Sequence, residues 1–304
     1  MKILFKLYAE LLPILALIPA GYFLKKKFNI KPEYVSTPLI KFLLPILVFF
    51  NMLDAEAEKL YILPIFTLIL AFGMAQVARL AQKRLASDFD PLLLSASFSF
   101  FNIAFFGIPT VSALFGDDKV STLICVYLGS ALYGDTIGYF QVAKTKFDTT
   151  EAFKQVMKIP FLYVFVAGII AKFAGMKTPD AIEGGLKFIS LSVSCAGMLI
   201  VGFQLAAVEI KEIKIVYYLK LIGVRTVAAM LIMAILIFLE YSLVNSLQQD
   251  DYKMLLLVSV FPVATNVTVF ASFLDAEQQK PALIVAISAL ISLVLVSVGA
   301  LLIV

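Results

Sequence analysis

Two apolar stretches, 98–115 and 256–275, are hydrophobic enough to lie in a bilayer, yet each is interrupted in its middle. The first holds Asn102, Gly107 and Pro109; the second holds Pro262 and Asn266. In hydrocarbon no water is at hand for a freed N–H or C=O. A break in a buried helix therefore persists only where protein or a watery cavity supplies partners. Each break demands a polar structure around it, and this chain has two.

The rest of the sequence is of the same kind. It is 62% hydrophobic and 15% charged, against about 25% charged in a soluble domain. The deficit runs the whole length, which implies a polytopic, all-α protein embedded in membrane lipid. Ten segments fit spans of roughly 20 residues: 8–24, 35–53, 60–80, 89–115, 120–140, 157–173, 182–208, 215–239, 254–274 and 282–304. The fourth and ninth are the interrupted ones. The seventh is rich in small residues, which let helices approach closely. The first is read as a retained span rather than a signal peptide. Glu10 intervenes before the apolar run, no small-x-small cleavage site follows, and Lys25, Lys26 and Lys27 end it.

Basic residues give orientation. The odd-numbered connections and their flanks carry 15 Lys and Arg, including Lys25, Lys31, Lys41, Lys144, Lys158, Lys211 and Lys220; the other side carries 9. Acids such as Glu56, Glu58, Asp117 and Asp251 collect on the poorer side. Both termini are expected to be extracytoplasmic. Pro13 precedes an Ala-Gly pair ending at Gly21, and Pro160 precedes a similar pair ending at Gly168. With the breaks in the fourth place of each half, the chain divides into 1–148 and 149–304. Five spans is an odd number, so the second set is inverted. Paired broken spans in an inverted repeat are a plan of secondary transporters, with the site at the breaks.

Several residues stand out there. Pro109 lacks an N–H, Gly107 tolerates unusual backbone, and Asn102 both donates and accepts. Thr110 and Ser112 add hydroxyls. Pro262, Thr265, Asn266 and Thr268 make the matching group. Half-helix N-termini suit a carboxylate, and exposed carbonyls suit a cation. The bland alternative is that the prolines only kink packed helices. Asp135 is an acid deep in a span, and such residues are functional hypotheses by default. It can take a proton, coordinate sodium, or pair with Arg225. Arg225 can neutralise Asp135, attract an anion, or snorkel to the interface. Gln204 has a place beside the breaks or between helices.

Other classes find little support. The net charge of +4 gives no case for nucleic acid. No P-loop or Rossmann fingerprint is present, so no nucleotide cofactor is expected. Cys125 and Cys195 lie in apolar runs and suggest neither a disulfide nor a metal site. With no histidine, Cys195 lacks a His base. An enzyme is not expected. A membrane sensor or a channel stays open, although no filter-like segment is evident.

At Asn102-Ile103-Ala104-Phe105-Phe106-Gly107-Ile108-Pro109 and Phe261-Pro262-Val263-Ala264-Thr265-Asn266 the chain resembles the auxin efflux carrier family. Bacterial members of that family include malonate and malate permeases, and it falls in the bile/arsenite/riboflavin transporter superfamily. Pro45, the 13–21 segment and Gly202-Phe203-Gln204-Leu205 match as well. The resemblance implies ten helices in two inverted five-helix repeats, with helices 4 and 9 broken and crossed. It implies a scaffold domain from 8–53 and 157–208 and a transport domain from 60–140 and 215–304. It also implies an elevator motion, a homodimer and a bacterial inner-membrane location. Carried over, Asn102, Pro109, Pro262 and Asn266 line a site for a small organic anion, whose transport is driven by sodium, by protons or by the membrane potential alone. A sodium-coupled carrier of bile-acid type is the nearest alternative. The chain departs from the family at Ser194-Cys195-Ala196-Gly197, where relatives often have a proline.

Overall fold

The protein is described here by a computed structural model over residues 2–55, 59–208 and 214–303. Glu56, Glu58, Lys211 and Val304, used above for orientation and span limits, lie outside the described residues. Among the described residues all regular structure is helical, apart from one isolated antiparallel bridge between Phe101 and Val263. Seven helices are long and apolar enough to cross a membrane: Leu4–Phe28, Glu33–Leu53, Leu63–Leu85, Val120–Lys144, Asp180–Leu205, Ile215–Leu243 and Gln279–Leu301. An eighth crossing is added if α10 (Thr149–Lys158) and α11 (Phe161–Phe173) form one span bent by 45°. The sixth segment, expected from residue 157, is interrupted because Pro160 separates these two helices.

The two interrupted segments are pairs of short helices. α6 (Pro91–Ser99) is followed by a π-helical turn, Ile103–Gly107, and then by α7 (Ile108–Phe115). α14 (Gln249–Ser259) and α15 (Asn266–Phe273) flank the second gap. Further π turns cover Leu39–Leu43, between the prolines Pro38 and Pro45, and Gly134–Gly138, within the Val120–Lys144 helix. Pro45 therefore sits in the first turn of α4 (Leu44–Asp54), where its missing N–H removes no bond the helix needs.

Close packing is set by small residues. α2 (Leu17–Phe28) lies against α12 (Glu183–Leu205), and α4 against α11. α5 (Leu63–Leu85) packs on α6, on α8 (Val120–Tyr133) and on α13 (Ile215–Leu243). At the α2–α12 contact a Cβ on Gly21 would lie 2.5 Å from the Leu199 carbonyl oxygen. One on Gly202 would lie 2.1 Å from the Ile18 carbonyl oxygen. Backbone meets backbone here, so no side chain can rotate away. This confirms the close-approach role expected for the small residues of the seventh segment. α2 ends at Asn29, which takes the left-handed conformation and donates its N–H to the Lys25 carbonyl at 2.8 Å.

Gly202→Val should therefore lower the thermal unfolding midpoint of the purified protein sharply. Overpacking of this kind costs about 1–3 kcal/mol or more. Gly223→Ala is the control, because a Cβ at Gly223 meets nothing within 4 Å. It should leave the midpoint unchanged or raise it slightly.

Candidate functional site

α6 begins with Asp90, whose carboxylate accepts from the N–H groups of Leu92 and Leu93 at 2.8 and 3.0 Å, and with Pro91. It ends at Ser99, where Phe100 turns extended. The unwound residues are thus Phe100 to Asn102, several positions before Gly107 and Pro109. Pro109 lies in the first turn of α7, away from the unwound backbone. Pro109, expected to line the site in the broken fourth helix, thus stands seven residues beyond Asn102. Its missing N–H accompanies the restart of the helix, not its failure. Gly107 has a packing role: a Cβ there would come within 2.7 Å of the Phe261 ring.

The second gap runs from Val260 to Thr265, and the two gaps bond to each other. The Asn102 N–H donates to the Pro262 carbonyl at 2.9 Å, and the Ala264 N–H donates to the Phe100 carbonyl at 3.2 Å. Asn102 also closes its own side of the break. Its side-chain oxygen accepts from Phe105 N–H at 3.2 Å, and its carbonyl accepts from Gly107 N–H at 3.1 Å. The Val263 N–H donates to Ser288 Oγ at 3.0 Å. The amides of Asn102 and Ala264 are therefore engaged by the opposite break, and in this arrangement they are not offered to an anion.

Arg225 supplies the remaining donors. It is fully buried on α13, and it points its guanidinium at the ends of α6 and α14. Nε donates to the Phe98 carbonyl at 3.2 Å, Nη2 to Phe100 at 2.9 Å, and Nη1 to Phe261 at 3.0 Å. Its cationic carbon lies 4.0 Å from the centre of the Phe101 ring. Helix C-termini favour a cation, and the planar fork suits several acceptors at once. Neither pairing with Asp135 nor snorkelling occurs, because the carbonyls freed by both breaks occupy the guanidinium.

Asp135 is placed by the π turn Gly134–Gly138 and is 4% exposed. Its one described partner is the side-chain amide of Asn266, 3.5 Å away at the start of α15. Both face a cavity of about 30 Å³ that Asn102, Tyr127, Ser130 and the break residues Phe100 and Phe101 also line. One water needs about 10–15 Å³ by this measure. The cavity thus holds a few waters or a bare ion, and it is too small for an organic carboxylate. Tyr127 and Ser130 were not singled out from the sequence, nor was Ser288. Their only signal was a hydroxyl in an apolar run.

The other expected residues divide. Thr110 donates to the Phe106 carbonyl at 2.7 Å, which ties the first turn of α7 to the preceding π turn. Thr265 is buried just before α15, and its hydroxyl has no partner among the described residues. A Cβ on Gly197 of α12 would lie 2.9 Å from that hydroxyl. Gln204, also on α12, donates to the Thr268 carbonyl of α15 at 2.8 Å. Gln204 also lines an open recess of about 720 Å³, together with Lys25, Lys31, Glu33, Glu277 and Gln279. Among the described residues, no group of three or more acidic or cysteine side chains is arranged to hold a metal ion.

Arg225→Met should destabilise the fold by about 3–5 kcal/mol, since it leaves buried acceptors unpaired. Arg225→Lys should recover only part of this, because an ammonium is a point charge. Thermal unfolding of both variants in detergent checks this ordering.

No family model matches the chain, and no curated protein is significantly similar to it.

Proposed function

We propose that the protein is a secondary carrier for a small organic anion, such as a short carboxylate, with no covalent chemistry and no bound cofactor. The observation that carries this reading is the mutual hydrogen bonding of two interrupted helices, one in each half of the chain, beside a polar cavity to which both contribute. Irregular backbone at membrane depth is characteristic of transport sites. Seven long helices, α11 and the two interrupted pairs would make ten crossings, the number that two inverted five-helix repeats need. The α2–α12 and α4–α11 contacts, and those of α5 with α6, α8 and α13, support a scaffold and a moving transport unit, as an elevator requires.

In this reading the large recess is the vestibule. Lys25 and Lys31 attract an anion electrostatically, and Gln204 stands at its inner end, against α15. The recess would open to the cytoplasm of a bacterial cell, with both termini outside. Movement of α15 against α12 would then admit the anion to the groups at Asn266 and Thr265. The exposed apolar residues Phe173, Phe188 and Leu191 of α11 and α12 suit a homodimer contact within the scaffold.

A second reading is favoured by a separate observation. Asp135 faces a cavity of ion or water size and has no cationic partner among the described residues, so sodium or a proton can neutralise it there. The carrier would then be cation-coupled, as in bile-acid-type symport.

Proteoliposome uptake and counterflow with a panel of carboxylates, varying sodium, pH and voltage separately, test both readings. Saturable counterflow is expected; ionic currents far above carrier turnover would instead establish a channel. Asn266→Ala should reduce uptake by about tenfold or more, the worth of one hydrogen bond to a charged group. Asp135→Asn should keep counterflow but abolish dependence on the coupling ion. If both variants behave as wild type, the site is elsewhere.

A further inference from the structure

A second cavity, of about 190 Å³, lies where five elements meet, and it has no part in the site above. Lys41, from the π turn Leu39–Leu43, and Lys158, from the end of α10, both line it. So do Tyr139, from the helix α9 (Tyr139–Lys144), Pro160, at the start of α11, and Phe273, at the end of α15. Its volume is more than ten times the roughly 10–15 Å³ needed by one water.

Four features of this cavity converge on an anion. Lys41 has no acidic partner among the described residues. Lys158 has one, Glu151, at 3.1 Å, which also pairs with Lys154 at 3.6 Å; Glu151 itself does not line the cavity. Tyr139 is fully buried, and its hydroxyl has no hydrogen-bond partner among the described residues. A buried hydroxyl without a partner costs free energy that a bound acceptor would return. Finally, α11 is a 13-residue helix whose N-cap is Pro160, with no side-chain cap on its first N–H groups. An uncapped N-terminus with two lysines beside it is a ready site for a phosphate.

We propose that this cavity binds a phosphate-bearing anion, and that the phosphate belongs to the headgroup of an anionic lipid or to a soluble phosphate compound. The lipid source is favoured by α10. That helix exposes Phe153 and Met157 (60% and 37%) beside Lys154 and Lys158, the pattern of a helix that lies on a membrane surface. A ligand here would join Lys41, Tyr139 and α10, and so would tie three separate parts of the chain together. The proposal does not depend on the transport reading, because it concerns binding alone.

The test is the thermal unfolding midpoint of the purified full-length protein in detergent. It is titrated separately with phosphatidylglycerol, with phosphatidylcholine and with inorganic phosphate. Phosphatidylglycerol should raise the midpoint saturably, and phosphatidylcholine should not. At about 1 kcal/mol per lysine near the surface, Lys41→Ala/Lys158→Ala should need about thirtyfold more lipid for the same shift. Tyr139→Phe should need about tenfold more, and it decides the matter should the double variant fail to fold. Lys220→Ala, an exposed lysine elsewhere, should respond as wild type. Saturation by inorganic phosphate through the same residues, with no further gain from lipid, would assign a soluble ligand. The proposal is overturned if neither phosphate probe shifts the midpoint saturably. It is equally overturned if the shift survives in both cavity variants, or if Lys220→Ala weakens it as much.

Discussion

Unwound backbone inside an apolar protein must find hydrogen-bond partners, and here each break finds two of its bonds in the other. The Phe100 carbonyl accepts from Ala264 and from Arg225, and the Pro262 carbonyl accepts from Asn102. Residues from α13 and α16 (Gln279–Ile303) complete the set through Arg225 and Ser288. Neither break is satisfied alone, so the halves of the chain are joined where the helices fail. Buried charge is costly unless it is well bonded. For Arg225 the freed carbonyls meet that condition, and the guanidinium in turn removes the cost of leaving them bare. The dependence is mutual, and it fixes the relative positions of α6, α13 and α14.

The apolar pattern made the helical class and most helix limits legible, because lipid burial demands long runs of apolar residues. The place of the breaks was legible too, since Asn102 and Asn266 are amides with no reason to sit in hydrocarbon. Their mechanism was not. Phe100 to Asn102 contains neither glycine nor proline, and it unwinds because of partners more than 120 residues away. Local propensity pointed instead at Pro109, which merely starts the next helix. Arg225 was noticed as a deep charge, but its partners are backbone carbonyls, and these leave no trace in residue type. Thr110 shows the converse: a hydroxyl that looks available is bonded to a backbone carbonyl of the preceding turn. Gln204 joins α12 to α15, a bond between helices, which was one of the two places its sequence position left open.

The two deep charges, for which mutual pairing was one reading among several, are handled in different ways. Arg225 is held by three backbone carbonyls, which makes it part of the framework. Asp135 has one long contact and an adjoining space. A group bonded on all sides cannot exchange partners cheaply, whereas a group beside a cavity can. The proposed division of labour follows from this, with a static cation that holds the breaks and an acid left open to neutralisation.

The three π turns have a further effect, which concerns counting. An α-helix advances about 100° per residue, and a π turn carries one residue beyond that repeat. Everything downstream is rotated relative to an uninterrupted helix. Asp135 and Lys41 lie inside such turns, and Tyr139 follows one directly. Their facing is thus a matter of phase as well as identity. Deletion of one uncharged residue from any of these turns would change no charge and little hydrophobicity. It would nevertheless swing the remainder of that helix by more than a quarter of a circle. In these three places the sequence has a reading frame in space, and a substitution is a smaller disturbance than a change in length.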